Sequence, residues 1–324
     1  MSTPWDPPGS LRSLMISPVT FLASTIHTLV LTLRGWPSLP VPKGSRIRIV
    51  CLSDTHDDTI PASLVPSGDL LIHCGDLTNN GRASAIQAQI DWLNSLPHQH
   101  KIVIAGNHDS YLDPSTRLSQ DKDVSLDWKS VHYLQHSEII LAFAAKGARK
   151  LKVYGAPQIP ACGPYGPGRF AFQYERGRDA WSETIPKDTD ILVTHTPPKY
   201  HCDLTTGRKG GMGCEWLTKE ASRVKPKVQI CGHVHSGHGQ EPIWWDRENS
   251  LYEKALFIMT VGIIKELIDI WAWFDLARLV VYGVFAIVWT RIWGGNGNIS
   301  MLVNAALSYR TTGKLGNPIE VVEI

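Results

Sequence analysis

The chain has 324 residues, with 32 Lys and Arg against 30 Asp and Glu and a net charge of +2. That length, with 43% hydrophobic residues, allows one large α/β domain or two smaller ones, and the near-neutral charge without basic stripes argues against nucleic acid as a partner. Six cysteines with no C-x-x-C spacing argue against a disulfide framework and point to a reducing, intracellular compartment.

The first patterned stretch, Ser13 to Leu33, holds no Lys, Arg, Asp or Glu. Ser13, Ser17, Thr20, Ser24 and His27 recur every three or four residues, so an otherwise apolar helix carries one mildly polar stripe. An anchor helix lying in a membrane interface is the first reading, ahead of a span and of a helix packed on the domain. His27 belongs to the polar face and not to a ligand set. A Pro- and Gly-rich linker from Gly35 to Lys43 follows, and a catalytic-looking domain opens near Ser45.

Ile47 to Leu52 reads as a buried strand that stops at Asp54-Thr55-His56. In extended backbone, residues i and i+2 project to the same side, so Asp54 and His56 are expected to reach one cation together. Alone, D-x-H is weak, because it also marks solvated turns. Leu70 to Cys74 is a second strand, ending in Gly75-Asp76. Ala83 to Leu96 is an amphipathic helix with Ile86, Ile90 and Leu93 on one face. Lys101 to Ala105 is a third strand, ending in Gly106-Asn107-His108-Asp109. Leu151 to Tyr154 leads into a Gly/Pro-rich loop; Asp190 to Thr194 ends at His195, and Lys227 to Cys231 at Gly232-His233-Val234-His235. This alternation predicts βαβ units with functional groups collected at strand ends.

Metal-ligand chemistry therefore recurs at Asp54/His56, Asp76, Asn107/His108, His195 and His233/His235. A mixed carboxylate, imidazole and amide set suits Mn, Fe or Zn and is unlike a thiolate site. Glycine before Asp76, Asn107 and His233 permits tight turns and close backbone approach. Blander readings cover the other polar residues: Asp57 and Asp58 solvate or cap, His73 is a core histidine, and His98, His100, His132 and His136 lie at the surface. Arg208 and Lys209 sit in a flexible Gly-rich stretch. His201 and Asp203, just after Pro197-Pro198, are candidate substrate contacts, because their loop leaves a ligand position.

The ordered set D-x-H, G-D, G-N-H-D, H and G-H-x-H, from Asp54 to His235, resembles the calcineurin-like metallophosphoesterase superfamily. Ala171-Phe172-Gln173-Tyr174, Thr194-His195-Thr196-Pro197-Pro198 and the run Gly232 to Gly239 look like its metallophosphoesterase domain-containing branch, with Thr196 standing where Gly is expected. The resemblance implies an α/β fold, a four-layer αββα sandwich, and two divalent metal ions (Mn, Fe or Zn). It places Asp54, His56, Asp76 and His235 on one metal and Asp76, Asn107, His195 and His233 on the other, with Asp76 shared. It further implies a bridging hydroxide that attacks phosphorus, His108 near the leaving oxygen, Asp109 orienting an imidazole, and hydrolysis of a phosphomonoester or phosphodiester. A metal-binding scaffold with little turnover and a nuclease of the same superfamily compete. The intact ligand set argues against the first and the low net charge against the second.

The domain is interrupted. Residues 45–239 and 298–324 are its expected parts, after an N-terminal helix and linker at 1–44, while 240–297 is a hydrophobic, Trp-rich insertion. Six of the twelve tryptophans lie there: Trp244, Trp245, Trp271, Trp273, Trp289 and Trp293. Ala255 to Ile264 and Leu279 to Thr290 are charge-free and flank a cluster that includes Asp275 and Arg278. This predicts a helical hairpin, neither apolar run of which reaches the roughly 20 residues of a span. Indoles favour the membrane–water interface, so the expected partner is a membrane surface and the expected substrate an amphiphilic phosphoester. A second subunit is the alternative cover for the apolar helices.

Overall fold

The computed structural model describes residues 17–37, 46–163, 168–203, 211–258, 263–294, 298–309 and 312–324. Arg208 and Lys209 lie outside them. Strands β1 (Arg48–Leu52), β2 (Leu70–His73), β3 (His100–Val103) and β4 (Val131–Tyr133) are parallel neighbours in one sheet. A second sheet holds β5 (Ser137–Phe143), β6 (Arg149–Ala156), β9 (Ile191–Thr194), β10 (Val228–Cys231), β11 (Gly239–Trp244) and β12 (Ile299–Asn304), in the order β11-β12-β10-β9-β6-β5. The short pair β7 (Ile159–Pro160) and β8 (Gln173–Tyr174) stands apart, and β13 (Glu320–Glu323) closes the first sheet by pairing antiparallel with β1. These are the sheets of an αββα sandwich.

β2, β9 and β10 are buried at every position, which is why they read as continuous apolar runs and not as alternating ones. Helix α2 (Ala83–Ser95) covers the first sheet as its periodicity predicts. Ile86, Ile90 and Leu93 are fully buried and pack with Val50, Leu52, Leu71 and Val103. Each such side chain contributes about 1.5–3 kcal/mol relative to exposure, and Ile90→Ala would cost about 2–5 kcal/mol. Helix α3 (Glu215–Val224) buries Leu217, Ala221 and Val224. A parallel bridge between Ser53 and Ala306 ties the end of β1 to the segment after β12. The strand termini of both sheets are thereby brought together.

The chain divides into two compact units: described residues of 41–203, 212–241 and 301–324 form one, and those of 1–40, 204–211 and 242–300 the other. The second unit is helical: α1 (Pro18–Arg34), α4 (Arg247–Ile258), α5 (Ile263–Ile268) and α6 (Ile270–Trp293). The inserted hydrophobic hairpin is present, but its second arm is longer than the charge pattern predicts. α6 runs for 24 residues straight through Asp275 and Arg278. Those charges do not break it, because Arg278 Nη1 lies 3.1 Å from Asp275 Oδ1 one turn away and Lys254 of α4 pairs with the same carboxylate. The start of α6 is capped by Asp269, whose carboxylate accepts the Trp271 and Ala272 N–H groups. His27 is buried in this unit, its Nδ1 2.9 Å from Glu248 and its ring stacked on Tyr252.

Candidate metal centre at the strand ends

The loops after β1 and β2 run side by side beyond the sheet, through Asp54 N–H to Gly75 O, His56 N–H to Asp76 O and Asp57 N–H to Leu77 O. Asp54 and His56 do not share a side by extended alternation, as the sequence predicts. Both adopt left-handed backbone (φ 55° and 48°), as do Asp76 (53°) and His233 (65°). For non-glycine residues this conformation costs roughly 1–3 kcal/mol each, and it persists only where the surroundings hold it. Here the holding groups are legible. Asp54 accepts the His233 N–H at 3.0 Å, and Asp76 Oδ1 accepts the His108 N–H at 2.8 Å. Ser308, from the far end of the chain, donates to the Asp54 carbonyl at 2.9 Å.

Two glycines are required by close approach. A Cβ on Gly106 would fall 2.2 Å from both the backbone nitrogen and Oδ1 of Asp76 and 2.7 Å from the His195 ring. A Cβ on Gly232 would fall 2.0 Å from Ser53 Oγ and 2.4 Å from Asp54 Oδ2.

Among the described residues, three groups of ligand atoms converge, each within 4.8 Å: Asp54, His56 and His235; His56, Asp76 and His108; and Asp76, His195 and His233. His56 and Asp76 each belong to two of them, and Asp76 is the carboxylate that does. His195 shows the electrostatics most directly. Its Nδ1 lies 2.8 Å from the Cys74 carbonyl and therefore carries the proton there. Nε2 then faces two oxygens, Asn107 Oδ1 at 3.1 Å and Asp76 Oδ2 at 3.5 Å. A bare Nε2 lone pair among oxygen lone pairs is unfavourable, so a proton or a cation belongs between them. Burial alone would lower the His195 pKa, but the Asp76 carboxylate outweighs it and raises it to about 9.

Asp54 and Asp76 would both be raised by burial. Instead the imidazoles around them, His235 on Asp54 and His195 and His108 on Asp76, hold them well below the ordinary carboxylate range. His233 is pushed down to about 3, by burial and then by the neighbouring His195, and its buried Nε2 has no hydrogen-bond partner. Both ring nitrogens of His56 are buried without a hydrogen-bond partner among the described residues, and Nε2 lies 4.0 Å from Asp54 and 3.8 Å from Asp76. Imidazole nitrogens without hydrogen-bond partners, gathered around ionised carboxylates, are the donor set that divalent cations need. The residues present fit such ions.

Among the remaining expected residues, His108 is partly exposed, with Nδ1 3.0 Å from the Asn79 carbonyl and its ring against His56 and Phe170. Asn79 and Phe170 carry no sequence signal of their own. Among the described residues, Asp109 bonds to no imidazole. It accepts the N–H groups of Gly106, Leu77 and Thr78 and the Thr78 hydroxyl, stapling the Asp76 loop to the Asn107 loop. Burial and the Asp76 charge raise it to about 6 despite those donors.

His201 and Asp203 are both fully buried. His201 Nδ1 meets Glu241 at 2.8 Å, and Asp203 accepts the Gly213 N–H at 3.1 Å. Neither is among the converging ligand atoms. His73 is a core histidine: Nδ1 accepts the Gly75 N–H, Nε2 bonds Thr55, and burial pushes it down to about 3. His98 is not at the surface. It is buried, with Nε2 3.0 Å from the Pro66 carbonyl.

Residues 47–237 match the model of the family described as calcineurin-like phosphoesterase. The chain is 36% identical over 215 residues to human metallophosphoesterase domain-containing protein 1, covering 62% of this chain and 64% of that protein. It is 36% identical over 208 residues to a UPF0046 protein of Caenorhabditis elegans, covering 60% and 71% respectively. It is also 39% identical over 263 residues to the protein named "Probable rhamnogalacturonate lyase C" of Emericella nidulans. That match takes in 80% of this chain but only 23% of the fungal protein.

Proposed function

The chain belongs to the calcineurin-like phosphoesterase family, and from that premise we propose that it hydrolyses a phosphomonoester or phosphodiester at a centre of two divalent ions, Mn, Fe or Zn. The observation that carries the reading is Asp76, whose carboxylate takes part in two of the three convergent ligand groups. A shared carboxylate is what two like charges need when they are held roughly 3.5–4 Å apart. Asp54, His56, Asp76 and His235 would hold one ion, and Asp76, Asn107, His195 and His233 the other. When bound, such a pair lowers the pKa of water and neutralises developing charge on phosphoryl oxygens.

The chain's own residues do the rest. The Cys74 carbonyl fixes the His195 tautomer, so Nε2 is the atom offered to the centre. The Asn79 carbonyl takes Nδ1 of His108, leaving Nε2 as the ring atom able to give a proton to a leaving oxygen. Its partial exposure suits a group that meets substrate. Phe170 against that ring limits water on one side of it.

The test is hydrolysis of bis-p-nitrophenyl phosphate and p-nitrophenyl phosphate with added manganese, with metal content counted on the same samples. Turnover in the wild type that is lost in both His108→Ala and Asp76→Asn supports the reading, and the ratio of the two rates separates diesterase from monoesterase. Two bound metals with no turnover of either ester, or of lipid phosphates, would overturn it in favour of a scaffold.

A further inference from the structure

Within the helical unit, two carboxylates are turned inward and large apolar side chains outward. Asp275 is buried against Lys254 and Arg278, and the Glu266 carboxylate is buried on the Ser17 hydroxyl (2.7 Å) and the Thr20 N–H (3.0 Å). Ala272, Asp275, Leu279 and Gly283 form the one packed stripe of α6; at Gly283 a Cβ would fall 2.6 Å from Val30 of α1. The rest of α6 is open, with Phe274, Val281, Val284 and Phe285 all more than half exposed. Most of α6 is thus left uncovered, unlike the core helix of a bundle.

α1 continues this surface. Leu29 is 56% exposed, and the exposed hydroxyls beside it do not ask for water. Thr25, Thr28 and Thr32 each donate to the carbonyl four residues earlier, at 2.8 Å. Exposed tryptophans mark both ends of α6, Trp271 at the start and Trp289 and Trp293 at the finish, where amphipathic rings sit in a lipid interface.

α4 differs, with Arg247, Ser250 and Lys254 exposed. It has 12 residues, about 18 Å of helix, against the roughly 30 Å of a hydrocarbon core. The chain connections also gather at one end of the unit: Arg34 pairs with Asp246 at 2.8 Å, and Arg291 Nε donates to the Leu33 carbonyl at 2.8 Å.

We propose that this unit is a monotopic membrane anchor, with α1 and α6 seated side by side in one leaflet of a lipid bilayer and α4 turned to the water. Lipid is the occupant because the open face is apolar except for Arg278 and Arg291, which are engaged by Asp275 and the Leu33 carbonyl, has internally satisfied hydroxyls, and is bounded by indoles at both ends. A second protein copy would require none of the last two features.

The test uses the full chain, purified in detergent and mixed with vesicles of phosphatidylcholine, with and without phosphatidylserine, followed by flotation. The wild type floats with both compositions, and its tryptophan emission is quenched by lipids brominated along the acyl chains. V284K/F285K, on the open face, lowers the floated fraction on the order of tenfold or more; W289A/W293A lowers it part-way, with helix content in detergent unchanged for both. Wild type that stays at the bottom, a variant pair that floats like wild type, or a lipid-free dimer that covers the face would each overturn the proposal. Flotation is read on protein, so failure here leaves the catalytic reading untouched.

Discussion

Gly106→Ala tests how the centre is assembled. The added Cβ would sit 2.2 Å from Asp76 N and Oδ1, over 1 Å inside ordinary van der Waals contact, and 2.7 Å from His195. Two of the three neighbours cannot yield cheaply. The Asp76 nitrogen is main chain in left-handed conformation, and its carboxylate is held by the His108 N–H. Relief must come from moving the Asn107 loop, which Asp109 staples through the Gly106 N–H at 2.8 Å. Overpacking of this kind costs about 1–3 kcal/mol. A shift near 1 Å at a reacting centre costs on the order of 100-fold in rate. The expected outcome is therefore a stability loss of about 1–3 kcal/mol in denaturant melts and metal affinity lower by about tenfold or more at the Asp76, Asn107, His195 and His233 site. Titration calorimetry with Mn, and melts with and without chelator, read both. A variant with both metals bound as in the wild type and stability within about 0.5 kcal/mol would refute the close-approach argument.

On the proposed two-metal reading, Asp76→Asn keeps the shape but removes the shared charge, so bound metal is expected to fall at both sites, by about 100-fold or more; loss at one site alone would separate them. His108→Ala should keep both metals and lower turnover by about 10²–10⁴-fold; loss of a metal would instead make His108 a ligand. With His195 raised to about 9 in the metal-free chain, metal loading at pH 7.5 should release close to one proton from it. That release should vanish as pH rises past about 9, as read by calorimetry in buffers of different ionisation heat. In chelated protein, His73 is pushed down to about 3, below its unfolded value near 6.5. Between these values the unfolded state binds the extra proton, so stability falls as pH drops, by up to about 1.4 kcal/mol per pH unit; His73→Gln should flatten that slope in denaturant melts.

What was legible in the sequence came from local rules. A strand that stops at a carboxylate or imidazole, a glycine just before it, and the three-and-four spacing of Ile86, Ile90 and Leu93 each involve residues close in the chain, where side-chain direction follows from backbone periodicity. The ordered recurrence of those strand ends was enough to name the seven ligand candidates and His108. The manner of their meeting was not local. Asp54 and His56 converge through two left-handed residues and not through extended alternation. That conformation is held by His233, roughly 180 residues away in sequence, and by Ser308, 254 residues from Asp54. Asp109 looks like an imidazole partner from its neighbours His108 and Asn107, yet its bonds go to backbone N–H groups from two loops. His201 and Asp203 follow a ligand loop, and the fold buries them beside Glu241 and Gly213. α6 looked broken at Asp275 and Arg278 because charge in an apolar run reads as a boundary; Lys254 from another helix removes that cost. Residue chemistry and local period are properties of the sequence, whereas the partners that stabilise a strained turn or a buried charge come from elsewhere in the chain, and only the folded topology chooses them.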